Sequence, residues 1–176
     1  MKIAQFLVDN NSYLQLVDRE NSTTFYLASS SGSLTVLKYL MSLQKFDIER
    51  PNNSGMAALA GASAGGHLNV VQYLLENKAN VQAEDIFGCT PFYHACLNGH
   101  IEVVKFLYEK TKDLNRCRKN GCSPLYAAAS SGHLEIVKFL VHNKAHLEKS
   151  NEEGHTPLIV ACANNHLEVV KFLIES

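Results

Sequence analysis

The chain has 176 residues, 46% of them hydrophobic and 19% charged, and its 16 basic and 17 acidic side chains leave a net charge of −1. That apolar content supports a packed core and excludes disorder by composition. Balanced charge leaves no basic stripe for phosphate, so no nucleic-acid partner is expected. No apolar run approaches the roughly 20 residues that cross a bilayer, so no membrane insertion is expected either.

Along the chain, residues 1–17 come first. Their apolar stretch is broken by Gln5 and stops at Val8, too short and too mixed for a secretory signal. Ile3, Phe6 and Leu7 share one helical face, followed by Leu14 and Val17. This reads as a divergent N-terminal half-unit that covers the first part of the core. The five cysteines form no dense framework. Without a signal they read as reduced thiols in an intracellular, cytoplasmic protein.

From Asp18 onward the text repeats. Gly55, Gly88, Gly121 and Gly154 are spaced by 33, and so are His67, His100, His133 and His166. Five units follow: 18–51, 52–84, 85–117, 118–150 and 151–176. The first is one residue longer, in the connector near Leu43 to Phe46. Inside each unit, Thr90-Pro91, Ser123-Pro124 and Thr156-Pro157 are helix starts, because a hydroxyl caps free N–H groups and proline suits the first helical position. A first helix of about eight residues follows, rich in Ala, Cys and Ser. Gly99-His100 and Gly132-His133 end it, since glycine tolerates the positive φ of a helix stop. In the second helix Ile101, Val103, Val104, Phe106 and Leu107 crowd one face. Glu102/Lys105, Glu135/Lys138 and Glu168/Lys171 form a solvated face with weak i,i+3 support. Helices this short are marginal alone, so each unit must bury its face against its neighbours.

The segments GCTPFYHACLNGHIEVVKFL from Gly88, GCSPLYAAASSGHLEIVKFL from Gly121 and GHTPLIVACANNHLEVVKFL from Gly154 resemble the ankyrin-repeat family, and the likeness covers about 18–176. The resemblance implies an all-α solenoid of stacked helix–turn–helix units with a β-hairpin finger at each junction. It further implies a concave side made of fingers and first helices. The family's histidine after the Thr-Pro-Leu triplet is here Tyr26, Ala60, Tyr93, Tyr126 and Ile159. The link it makes is therefore expected to be weakened or rebuilt by tyrosine. The recurring histidines at 67, 100, 133 and 166 are implied to pack and to cap the second helix. The second unit has Ala57-Ala58 in place of Thr-Pro and carries Gly61, Gly65 and Gly66, so it is expected to be the softest. The fifth unit ends on an internal-type helix and reads as uncapped, where a polar outer face is usual.

Chemistry finds little support in the sequence. His94 and Cys96, two apart on a helix, do not face one another. Ser130-Ser131 before His133 ends a helix and is not a nucleophile elbow. No G-x-x-x-x-G-K loop occurs. Cys89 and Cys122 hold equivalent positions in adjacent units, whereas zinc needs its ligands about 2.0–2.3 Å away. No catalytic residue, cofactor or metal is therefore expected.

The expected function is a protein–protein interaction module, a scaffold or adaptor gripping a protein on its concave side. Met56 from the second unit, Ile86, Phe87, Leu97 and Asn98 from the third, and Lys119 and Asn120 from the fourth are the expected contact residues. They combine an apolar centre with a polar rim. Two alternatives stand beside this reading: self-association through the C-terminal repeat face, and a substrate-recruiting region of a longer polypeptide whose activity lies elsewhere.

Overall fold

The structure is a computed structural model and describes residues 16–43 and 46–176. Among these there are ten helices in five antiparallel pairs. The pairs are α1 (Thr24–Ser30) with α2 (Leu34–Ser42), and α3 (Ala58–Ala64) with α4 (Leu68–Glu76). Next come α5 (Pro91–Leu97) with α6 (Ile101–Thr111), and α7 (Pro124–Ser130) with α8 (Leu134–His142). The last pair is α9 (Pro157–Ala163) with α10 (Leu167–Glu175). The expected half-unit falls almost entirely outside the described residues. Of it only Leu16 and Val17 are described; both are exposed, and Val17 makes an isolated antiparallel bridge to Thr23.

Local chemistry sets the helix starts. Thr23, Thr90, Ser123 and Thr156 each accept a hydrogen bond from the backbone N–H three residues on, at 3.0, 3.2, 3.1 and 3.3 Å. Ala57 has the same extended backbone but no side-chain cap. A missing cap of this kind costs about 0.5–2 kcal/mol.

First helices stack directly on one another, α1 on α3 and so on to α9, while the second helices touch their own partners more than each other. The reason is side-chain size. Ala62, Ala95, Cys96, Ala128, Ala129 and Ala161 are fully buried along the first-helix row. Glycine allows the closest approach: a Cβ on Gly61 would stand 2.8 Å from the Tyr26 ring. The larger Val70, Val71, Leu74, Val103, Val104, Leu107, Ile136, Val137 and Leu140 fill the layer between first and second helices.

The recurring histidines act between repeats. His67, His100, His133 and His166 stand at the N-caps of second helices, but none makes a side-chain cap bond. Each instead donates from Nε2 to a first-helix carbonyl of the preceding repeat: Ser30, Ala64, Leu97 and Ser130, at 3.0, 2.8, 3.0 and 3.0 Å. The expected packing role holds, while the capping role is replaced by a tie to the neighbour. Gly32, Gly66, Gly99 and Gly132 make room for those rings, since a Cβ there would meet the next histidine at 2.4 to 2.6 Å.

Candidate partner-binding surface

Each repeat junction carries a tight turn, the finger. Its first residue donates to the carbonyl four residues on and accepts from the N–H three residues on, as in Asp85 N→Cys89 O (3.1 Å) and Gly88 N→Asp85 O (3.0 Å). Strand pairing within a finger is confined to this one closing pair. In four of the fingers an Asp or Asn carboxyl or amide oxygen bonds two backbone N–H groups from inside the turn. These are Asp18, Asn52, Asp85 and Asn151. Such side-chain turns hold short loops without strand partners.

The fingers are joined edge to edge. Asn53 N donates to Glu20 O, Ile86 N to Ser54 O, Lys119 N to Phe87 O and Glu152 N to Asn120 O, at 2.9, 3.1, 2.9 and 3.0 Å. This ladder brings residues from different repeats onto one edge. Ile86 and Phe87 sit at the third finger tip, 50% and 51% exposed. Ile86 leans over Gly55 of the finger before it, where a Cβ would stand 3.0 Å from its Cγ2. Exposed Lys119 lies across Gly88 in the same manner and donates from Nζ to the Ile86 carbonyl at 2.8 Å. Asn120 is half-buried, its Oδ1 accepting from Cys122 N at 3.2 Å.

The remaining expected residues are placed as follows. Met56 is half-buried, and its sulfur accepts from the Tyr26 hydroxyl at 3.8 Å. Leu97 is half-buried against Cys89, Tyr93, Cys122 and Ala127. Asn98 is exposed at the end of α5, with Nδ2 donating to the His94 carbonyl at 2.9 Å. Ile86, Phe87, Lys119 and Asn120 therefore share the finger edge, whereas Leu97 and Asn98 lie at the end of a first helix.

A polar cluster behind these tips was not foreseen. Arg118 opens the fourth finger, where the others have Asp or Asn. Its guanidinium stands 5.4 Å from the centre of the Phe87 ring and lies close enough to the Tyr93 hydroxyl to act on its pKa. Burial pushes the Tyr93 hydroxyl up, with Cys122 and Cys89 adding to it. His94 Nε2 donates to Asp85 Oδ2 at 3.0 Å, and the two side chains are 12% and 3% exposed. Burial lowers the His94 pKa even against the pull of Asp85, so the ring is neutral near pH 7 and the contact is a hydrogen bond rather than an ion pair. The Cys89 thiol is pushed up to about 12, first by burial and then by Asp85. Tyrosine does rebuild contact at the position of the missing triplet histidine here. Two sequence signals pointed to the cluster: Arg118 breaks the Asp/Asn series, and His94 stands where other repeats have Leu27, Gly61, Ala127 and Val160.

A stack of short helix pairs with a hydrogen-bonded row of turns along one edge defines a repeat solenoid, a class that works by presenting surface. A family model described as ankyrin repeats (3 copies) matches residues 1–85, 80–151 and 112–176. The chain belongs to the ankyrin-repeat family, a non-catalytic fold for protein–protein interaction. It is similar to inversin of Danio rerio, 36% identical over 75 residues, covering 42% of this chain and 7% of that protein. It is also similar to the probable 26S proteasome regulatory subunit p28 of Saccharomyces cerevisiae, 32% identical over 98 residues, covering 53% of this chain and 43% of p28. Protein fem-1 homolog A-like of Mus musculus is 35% identical over 77 residues, covering 44% of this chain and 12% of its own length. The chain thus spans less than half the length of each of these relatives. Among the described residues no helix is long and apolar enough to cross a membrane.

Proposed function

We propose that this chain binds a protein partner on the surface formed by its fingers and first-helix ends, with Ile86 and Phe87 as the apolar anchor and Met56, Leu97, Asn98, Lys119 and Asn120 as the other contact residues. The carrying observation is that two large apolar side chains are half exposed on turns whose backbone is fixed by the ladder. Fixed backbone lowers the entropy lost on binding. An aromatic ring beside an arginine, ringed by polar groups, has the composition of an energetic hot spot. No catalytic role is proposed for the chain. The test compares retention of proteins from source-cell extract by wild type, Phe87→Ala and Ile86→Ala, with thermal midpoints measured alongside. The reading expects retention lost and midpoints unchanged. Loss of stability without a separate loss of binding means that the two side chains serve local packing.

A second reading has its own observation. On the last repeat Cys162 is exposed, while its counterparts Cys96 and Ala129 are fully buried, and Leu167 and Ile174 are 58% and 68% exposed. Self-association through this face is expected to give concentration-dependent sedimentation. A monomer at high concentration removes the idea.

A further inference from the structure

We propose that Asp85, Cys89 and His94 form a binding site for one divalent zinc-type cation, set behind the third finger. One ligand atom from each lies within 4.8 Å of the other two, and all three are buried. Ligands on a tetrahedral zinc ion stand about 3.3–3.7 Å apart, from metal–ligand lengths of about 2.0–2.3 Å. The hydrogen-bonded His94–Asp85 pair stands at 3.0 Å and opens by a few tenths of an ångström to admit the ion, while the sulfur, within 4.8 Å of both, closes in. A thiolate, an imidazole and a carboxylate together suit zinc or cobalt and disfavour calcium and magnesium, which take oxygen ligands.

The supporting bonds are also in place. Asp85 Oδ1 is held by Phe87 N at 2.9 Å and Cys89 N at 2.8 Å, which leaves Oδ2 directed at His94. A carboxylate fixed through one oxygen presents the other in a set direction. Asp85 and Cys89 belong to one turn and His94 to the helix that follows it, so the site needs no movement between repeats. Binding is balanced as follows. The Cys89 thiol releases its proton to solvent as the metal–sulfur bond forms. His94 carries its ring proton on Nε2 toward Asp85, and that proton moves to Nδ1 through solvent, so Nε2 can bind the ion. One proton leaves per ion bound, and water takes the fourth position. Thiolate and carboxylate offset the two charges of the ion. Arg118 lies close enough to act on Cys89 and opposes a second cation.

The test is a cobalt(II) titration of metal-stripped chain, followed by displacement with zinc. Wild type is expected to bind one equivalent, with the ligand-field bands of tetrahedral cobalt and a sulfur-to-cobalt charge-transfer band. Asp85→Asn keeps the turn, since Asn52 and Asn151 make the same backbone bonds. It is expected to weaken binding by about tenfold or more. Cys89→Ser removes the charge-transfer band; Cys162→Ser, at an exposed thiol, leaves it intact. Arg118→Gln tightens binding. Absence of the charge-transfer band in wild type overturns the proposal. So does a band that survives Cys89→Ser or disappears in Cys162→Ser, or an unchanged affinity in Asp85→Asn.

Discussion

Gly99→Ala tests how the repeats are tied together. Gly99 has φ +83°, and a Cβ there would stand 2.6 Å from Cε1 and 2.8 Å from Nδ1 of His133. Left-handed backbone costs an alanine about 1–2 kcal/mol by itself. The ring must also move, and its bond to the Leu97 carbonyl at 3.0 Å is then lost. A lost bond of that kind costs about 0.5–1.5 kcal/mol, and more if the carbonyl stays dry. The expected total is about 2–4 kcal/mol. In a His133→Ala background the clash and the bond are already gone, so only the backbone share, about 1–2 kcal/mol, remains. The assay is a double-mutant cycle by urea denaturation, followed by far-ultraviolet circular dichroism, with an expected coupling of about 1–2 kcal/mol. Gly154→Ala supplies the backbone reference: its φ is also +83° and nothing lies within 4 Å of its Cβ position. An equal cost for Gly99→Ala in both backgrounds refutes the inter-repeat reasoning.

Other expectations follow from single positions. Ala57→Ser restores the missing cap of α3 and should stabilise by about 0.5–2 kcal/mol, read from the urea midpoint. Ser63 has a buried hydroxyl with no partner among the described residues, at a position where Ala129 is fully buried. Ser63→Ala should therefore be neutral or stabilise by about 1–3 kcal/mol, seen as a rise in thermal midpoint. Thiol labelling at neutral pH should modify exposed Cys162 first. Cys96, fully buried and with its thiol pushed well up by burial, should be labelled only on unfolding.

The solenoid was legible because repetition is itself a physical signal. Gly and His at intervals of 33 specify where helices stop and where neighbours touch. The Thr-Pro and Ser-Pro starts, the small-residue helices and the Glu/Lys face all fall where the pattern places them. The exposure of Ile86 and Phe87 was legible too, because turn tips have nothing above them. The inter-repeat bond of the recurring histidines was not, since it joins Nε2 to a carbonyl 36 residues away in three of the four ties. The glycines of the second unit mark a soft segment in the sequence; what the pattern does not show is that Gly61 and Gly65 also admit the Tyr26 ring and the Ser30 carbonyl, each at 2.8 Å from a Cβ position. The cluster around Asp85 and His94 was missed for a similar reason. Repeat position pairs Cys89 with Cys122 and helix spacing pairs His94 with Cys96, whereas the turn folds Asp85 and Cys89 back onto the helix that carries His94.

Site-specific photo-cross-linking tests the finger-edge account most directly. A photoreactive residue replaces either Asn98, at the exposed end of α5 within the proposed contact surface, or Lys105, on the solvated second-helix face, and the chain is irradiated in source-cell extract. The account predicts a discrete protein adduct from position 98 and none from position 105. The same adduct from position 105 alone, or equally from both, contradicts it.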